Sequence, residues 1–166
     1  KILTIHGIYS EQIGMLHGKL SSNFSNRYEK NAIEWADAIT AGSKEAFEYY
    51  SKFDSKVFFI PNAIDIDSLP SGIDTRYDKQ IIFAGRLSKE KGILTILETV
   101  KNLPKDIHLL IIGDGPEKEV VVECTKNNEN VHYLGYQPKE KTIPIIRGSK
   151  LLIQPSLAEG ISATLL

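Results

Sequence analysis

The sequence predicts an α/β fold built on parallel sheets. Seven short apolar runs occur at residues 2–5, 38–41, 57–60, 81–84, 108–112, 131–134 and 151–154. Most of them lack the polar alternation of half-exposed strands, as expected of parallel strands covered on both faces. Helical patterns lie between these runs. Strands that alternate with helices are typical of a doubly wound, Rossmann-like sheet with helices on both faces.

The first two helix predictions depend on capping residues. Residues 26–29 read Asn-Arg-Tyr-Glu, which is a capping-box pattern, and they predict a helix from there to about Trp35. Ser43 can accept a hydrogen bond at the start of a second helix that reaches about Tyr50. Each helix lies between two of the apolar runs.

The later helix predictions depend on apolar spacing and on proline. From Ile93, apolar residues recur at i, i+3, i+4 and i+7 on one face. Pro116 suits the first position of another helix. Pro138 starts a further helical segment that runs towards Arg147, and we expect Pro144 to interrupt it.

Composition excludes several classes of protein. The chain has 166 residues and a formal net charge of −1, which argues against a general nucleic-acid binder. No apolar run approaches the roughly 20 residues that span a bilayer. Cys124 is the single cysteine, so the chain has neither an internal disulfide nor a thiolate cluster for zinc. We therefore expect a cytoplasmic protein.

Loop-forming residues suggest a boundary near the middle of the chain. Proline, glycine, serine and aspartate gather between residues 61 and 79 without periodicity. We interpret residues 1–64 as the last part of one Rossmann-like domain, 65–78 as a linker, and 79–166 as the first part of another domain. The chain opens directly on a strand and closes on an apparent helix start, so we expect a piece of a longer protein, truncated at both ends.

The strongest candidate site follows the apolar run that ends at Ala84. Gly85 makes a turn there, and Arg86 and Lys91 stand five positions apart just before a helix that begins at about Ile93. An arginine fork and a lysine point charge beside a helix N-terminus suit a diphosphate. The alternative is two solvated cations, as on any protein surface.

Three further candidates also follow apolar runs. Gly113 and Gly115 flank Asp114 after the run 108–112 and would permit close approach of a ligand. The alternative is a tight turn in which Asp114 caps a helix. Glu159 could accept hydrogen bonds from sugar hydroxyls, or it could simply favour a helix start. His6 could face a cleft, although a structural histidine is the commoner case.

The order and spacing of these blocks resemble a known family. Residues 83–87 with 90–92, then 112–116, 131–135, 155–156 and 159–160 resemble the C-terminal half of family-four retaining glycosyltransferases of the GT-B fold, the group 1 type. Residues 36–43 and 57–65 resemble the end of that family's N-terminal domain. The resemblance therefore extends over nearly the whole chain.

The resemblance implies a retaining hexosyltransferase that moves a sugar from a nucleotide-diphosphate donor to a hydroxyl acceptor. It implies catalytic roles for Arg86, Lys91, Glu159 and His6. It implies donor contacts from Gly85, Gly113, Gly115, Tyr136, Gly160 and Ile161. Glu159 would be the first glutamate of the family's Glu-x7-Glu pair, and the second would fall immediately after Leu166. We therefore expect the chain alone to be inactive.

The resemblance also implies the partners. We expect a UDP- or GDP-sugar as co-substrate, no other cofactor, no metal, and a carbohydrate or lipid-linked acceptor, with a role in envelope polysaccharide or glycolipid synthesis. Contact with the inner face of the membrane would come from the missing N-terminal part. Two alternatives stay open, namely a non-catalytic nucleotide-binding module of the same fold and a sugar-nucleotide epimerase.

Overall fold

The chain folds into two compact α/β units. The computed structural model describes residues 1–8, 19–54, 56–157, 162 and 164, with the backbone alone for residues 19–26. The boundary between the two units falls after Ile64. Each unit is built on a parallel sheet with flanking helices, which confirms the predicted fold class. No helix in the described part of the chain is both long and apolar enough to cross a bilayer.

The first unit has a three-stranded parallel sheet in the order β1-β2-β3. Its elements are β1 (Ile2–Ile5), α1 (Lys19–Trp35), β2 (Ala38–Ala41), α2 (Lys44–Tyr50) and β3 (Val57–Phe59). Ser43 caps α2 as expected, because its Oγ accepts a hydrogen bond from the Ala46 amide at 3.1 Å. The core of this unit joins Ile39 and Ala41 of β2 to Ala46 and Tyr50 of α2.

The capping box predicted at Asn26 is wrong. Helix α1 begins at Lys19 and runs through position 26 without a break. Asparagine is only modestly unfavourable inside a helix. A cap-like motif can therefore stand within a longer helix.

The second unit has a four-stranded parallel sheet in the order β6-β5-β4-β7. Its strands and helices are β4 (Gln80–Ala84), α3 (Ile93–Thr99), β5 (His108–Ile112), α4 (Lys118–Lys126), β6 (Val131–Gly135), α5 (Lys139–Gly148) and β7 (Leu151–Leu152). Short 3₁₀ turns occupy Ile66–Ser68, Lys89–Lys91 and Val100–Asn102.

Helices cover both faces of this sheet. Phe83 and Ile111 pack with Ile93 of α3 and Val121 of α4 on one face. Residues that alternate with these, such as Ile82 and Leu110, pack against Ile145 of α5 on the other face. This two-sided burial explains why β4 and β5 are apolar at consecutive positions.

Helix α5 contains Pro144 without the expected interruption. Proline removes one helical hydrogen bond, whose acceptor would be the carbonyl of residue 140. Glu140, the residue that carries this carbonyl, is exposed. The Pro144 carbonyl is also used, because it accepts a hydrogen bond from the Asp74 amide at 2.8 Å.

The segment interpreted as a linker belongs to the second unit. In addition to the Asp74 contact, Arg147 Nη1 of α5 donates to the Pro70 carbonyl at 2.5 Å. Thr75 Oγ1 donates to the Gly148 carbonyl at 3.3 Å. Residues 70–75 are therefore held along α5. The assignment of the two units to domains of a longer protein stays a prediction.

Candidate functional site

The loops that carry most of the predicted site residues begin side by side. Strands β4, β5 and β6 are parallel, and their last residues are in register, with Ala84 opposite Ile112 and Ile112 opposite Gly135. The loops at 85–92, 113–117 and 136–138 therefore leave the same edge of the sheet. In open α/β sheets this carboxyl edge is the place where ligands bind.

The backbone on both sides of Arg86 is fixed by strand β5 and the loop after it. The Gly85 amide donates to the Ile112 carbonyl at 3.0 Å, and the Leu87 amide donates to the Asp114 carbonyl at 2.9 Å. Leu87 is completely buried, whereas Arg86 is exposed. The protein thus holds the Arg86 backbone firmly and leaves its guanidinium accessible.

Gly113 and Gly115 allow the two loops to touch. Both glycines have positive φ, 145° and 157°. A Cβ on Gly113 would lie 1.8 Å from the Gly85 carbonyl oxygen, and one on Gly115 would lie 2.4 Å from the Leu87 carbonyl oxygen. These glycines therefore have a packing role, and their contact with a donor stays a prediction.

Asp114 does not cap α4 from the N-cap position, which Glu117 occupies. Its carboxylate instead accepts a hydrogen bond from the Gly115 amide at 2.8 Å and pairs with Lys118 at 3.3 Å. These two contacts, the amide first, lower the pKa of Asp114. Asp114 therefore stabilises the turn after β5 through contacts with residues of that turn and the start of α4.

Lys91 lies in a short turn between Leu87 and α3. Residues Lys89–Lys91 form a 3₁₀ turn, and Gly92 follows in the left-handed conformation with φ of 72°. Helix α3 then begins at Ile93, as predicted. Helix α3 has only seven residues.

Glu90 lies between the two cations in the sequence and is half-buried. Burial raises its pKa, but the nearby Ser88 hydroxyl, its own backbone amide and the charges of Arg86 and Lys91 outweigh that effect and lower it. Ser88 is 2% exposed, and its Oγ has no hydrogen-bond partner of normal geometry among the described residues. Sequence reasoning missed Ser88, because a serine in a turn carries no distinctive signal.

Two tyrosines that follow β5, Tyr133 and Tyr136, have different roles. Tyr136 follows β6 and is 74% exposed, at the same edge as Arg86. Tyr133 lies inside β6, and its hydroxyl donates to the Gly113 carbonyl at 3.0 Å. Tyr133 therefore supports the glycine turn, while Tyr136 is accessible to a ligand.

The remaining predicted site residues lie either in the first unit or outside the described residues. His6 follows β1 in the first unit and is exposed. Glu159, Gly160 and Ile161 lie outside the described residues. Their roles stay predictions.

The sequence also contains an acidic pair that was not among the predicted site residues. Asp65 and Asp67 have the Asp-x-Asp spacing of metal-binding motifs. In the structure, the Asp65 carboxylate accepts a hydrogen bond from the Asp67 amide at 3.1 Å and caps the Ile66–Ser68 turn. This contact gives Asp65 a structural role at the start of the second unit.

The family of the chain follows from its sequence. Residues 71–166 match the family model described as glycosyl transferases group 1, which is more than half of the chain. The chain belongs to the group 1 glycosyltransferase family. The group 1 match includes every strand and helix of the second unit, and therefore the loop with Arg86 and Lys91.

Relatives and solved structures agree with this assignment. An uncharacterized glycosyltransferase of Methanocaldococcus jannaschii is 28% identical in an alignment 173 residues long, and the alignment covers 89% of this chain and 44% of that protein. The pneumococcal O-GlcNAc transferase GtfA, solved in complex with UDP and GlcNAc, is 25% identical with a TM-score of 0.64, covering 86% of this chain and 30% of that one.

A second solved structure is similar over almost the whole chain. It is a variant of S. aureus TarM in complex with fondaparinux, alpha-GlcNAc-glycerol and UDP, with 21% identity and a TM-score of 0.72. The match covers 98% of this chain and 33% of that one. The fold is that of GT-B glycosyltransferases, and the chain spans less than half the length of these proteins.

Proposed function

We propose that this chain is the central part of a retaining glycosyltransferase that transfers a sugar from a UDP- or GDP-sugar to a hydroxyl of a carbohydrate or lipid-linked acceptor. Its own contribution is the site for the donor diphosphate. Family membership supports the transferase reaction. The UDP present in the solved relatives supports a nucleotide donor.

The observation that carries this proposal is the fixed backbone of Arg86. Its two flanking amides are bonded to strand β5 and the loop after it, and its guanidinium is exposed at the carboxyl edge of the sheet. In the same loop, Lys91 adds a second cation. A charge held in place before the ligand arrives needs little reorganisation when it binds.

These two cations also suit the chemistry of transfer. The acceptor oxygen forms a bond to the anomeric carbon while the bond to the diphosphate oxygen breaks. The electron pair of that bond leaves with the diphosphate, which takes up the proton of the acceptor hydroxyl. Negative charge thus builds up on the diphosphate, and one preorganised donor aimed at such charge is worth about 3–4 kcal/mol.

The other predicted residues complete this proposal. Glu159 would contact the donor sugar, His6 would face the transferred sugar, and Tyr136 would border the nucleobase. We expect no resident metal or further cofactor, because Arg86 and Lys91 neutralise the leaving group. Attack on the same face as the leaving group would retain the anomeric configuration. A cytoplasmic role in envelope polysaccharide or glycolipid synthesis, at the inner face of the membrane, would fit such an enzyme.

Nucleotide binding by the 166-residue chain tests the proposal. We expect UDP or GDP to bind in isothermal titration calorimetry, and Arg86→Ala to weaken that binding at least about tenfold, which corresponds to roughly 1.4 kcal/mol. Lys89→Ala is the matched control, because Lys89 is an exposed cation in the same loop with no assigned role.

Two outcomes of this titration would contradict the proposal, and a transfer assay on the parent protein separates it from its alternative. Equal affinities for Arg86→Ala, Lys89→Ala and the unaltered chain would contradict the proposal, as would a lack of binding to both nucleotides. Specific binding by a parent protein that transfers no sugar would instead favour the non-catalytic nucleotide-binding module.

A further inference from the structure

The turn that carries Lys91 is held from outside by the segment after β7. The Leu157 amide donates to the Glu90 carbonyl, at the middle of the 3₁₀ turn, with an N···O distance of 2.8 Å. The Leu157 side chain is 62% exposed. The contact of this residue with the turn is thus made by its backbone, and its side chain points away from the core.

A second contact places the same segment against the end of the turn. Gly92 has φ of 72°, and a Cβ on it would lie 2.1 Å from the Pro155 carbonyl oxygen. Only glycine allows the two backbones to come so close at this position. Pro155 and Leu157 therefore both lie on the Ser88–Gly92 turn.

The turn is also anchored at its two ends. Leu87 and Ile93, the residues just before and just after it, are completely buried. Within the turn, the Lys91 amide donates to the Ser88 carbonyl at 3.2 Å. The buried residues hold the two ends of the turn. The hydrogen bond from the Leu157 amide holds its middle residue, Glu90, which is next to Lys91.

We propose that the Leu157 backbone amide is a positioning group for Lys91. It holds the turn in the conformation in which the Lys91 ammonium reaches the diphosphate, so that the loops after β4 and β7 act as one binding element. This inference rests on the proposed diphosphate site.

Two substitutions of Leu157 separate its amide from its side chain. Leu157→Pro removes the N–H donor, and the proline ring cannot sit 2.8 Å from the Glu90 carbonyl oxygen. Leu157→Ala keeps the donor and removes only an exposed side chain. In titrations of the 166-residue chain with UDP, we expect Leu157→Ala to match the unaltered chain. We expect Leu157→Pro and Lys91→Ala each to bind about tenfold more weakly.

A double-mutant cycle distinguishes positioning from general destabilisation. If the amide acts through Lys91, Leu157→Pro should cause no further loss of affinity once Lys91→Ala is present, because coupled residues are non-additive. Combined with Arg86→Ala, it should still weaken binding. Independent effects of Leu157→Pro and Lys91→Ala would overturn the inference, and so would equal affinities for Leu157→Pro and Leu157→Ala.

A measurement on the unaltered chain covers the case in which Leu157→Pro does not fold. Amide hydrogen exchange at Leu157 should slow when UDP is added, because a ligand on Lys91 stabilises the turn to which this amide is bonded. Unchanged exchange at saturating UDP would overturn the inference. Failure of the chain to bind either UDP or GDP, or full binding by Arg86→Ala, would refute the underlying diphosphate site instead.

Discussion

Gln80 shows how much structure a single buried side chain can organise. It is the first residue of β4 and is completely buried. Its Oε1 accepts hydrogen bonds from the Arg76 and Tyr77 amides at 2.7 and 3.2 Å. Its Nε2 donates to the Asp74 and Ile145 carbonyls at 3.1 and 3.3 Å. A fully bonded buried amide costs little, and this one joins residues 74–77 to β4 and α5.

His132 should make the stability of the second unit depend on pH. Its Nε2 lies 3.0 Å from His108 Nδ1, and the Tyr77 ring stacks on both imidazoles, at 3.9 Å from His108 and 4.6 Å from His132. Burial, and then the charge of His108, lower the pKa of His132 from 6.5. Asp106 interacts with His108 and pairs with Lys79 at 2.6 Å, and Asp78 also interacts with Lys79.

The direction of the pH effect follows from that lowered pKa. The unfolded chain takes up a proton at His132 more readily than the folded chain does. The contribution of neutral His132 to the free energy of unfolding is therefore fully present above about pH 6.5 and is lost as the pH falls below that value. We expect a lower urea midpoint at about pH 5.8 than at about pH 7.5, and a smaller difference in His132→Gln. His6→Gln, at an exposed position in the first unit, should keep the full difference. An identical pH response in His132→Gln and the unaltered chain would contradict this prediction.

The elements at the carboxyl edge depend on the close approach of two loops. We predict that Gly113→Ala lowers the free energy of unfolding by roughly 3 kcal/mol or more, because it combines an unfavourable φ of 145° with a contact of 1.8 Å to the Gly85 carbonyl oxygen. Gly135→Ala is the matched control. Gly135 also has a positive φ, 70°, but a Cβ there would meet no atom within 4 Å.

Chemical denaturation of both variants checks the glycine prediction. We expect Gly135→Ala to lose only about 1–2 kcal/mol, the cost of the left-handed conformation alone. Gly113→Ala should also weaken UDP binding, since moving Gly85 moves Arg86. Equal losses of stability in the two variants would show that the contact between the loops contributes nothing.

A strand or helix could be predicted from the sequence where its own residues determine it. The run Ile81–Ala84 and its partner His108–Ile112 are apolar at consecutive positions because both faces are covered, so their strands could be predicted. The cap at Asn26 was wrong because a longer helix outweighs a local motif. The role of Gly113 could not be read from sequence, since the atom it must avoid belongs to a distant loop.

For the whole molecule, the sequence predicted the fold class and the position of the cations but not what holds them. Arg86 and Lys91 could be placed at a strand end from spacing alone. The groups that hydrogen-bond to the backbone beside them are the Ile112 and Asp114 carbonyls and the Leu157 amide. Every residue has such backbone groups, so no residue type marks them. A site built on backbone contacts therefore needs a structure before it can be understood.

The last prediction concerns what the chain can do by itself. We expect the 166-residue chain to bind UDP or GDP without transferring sugar, whereas the longer parent protein does both. The chain spans 44% of the length of its relative from M. jannaschii and 30% of the pneumococcal enzyme, so more than half of such a protein is available to bind an acceptor and complete the donor site.

The measurement is release of nucleoside diphosphate from a panel of UDP- and GDP-sugars, with and without carbohydrate acceptors. The parent protein serves as the positive control and its Arg86→Ala variant as the negative one. Acceptor-dependent release by the 166-residue chain at the rate of the parent would show that these residues already hold the complete catalytic machinery.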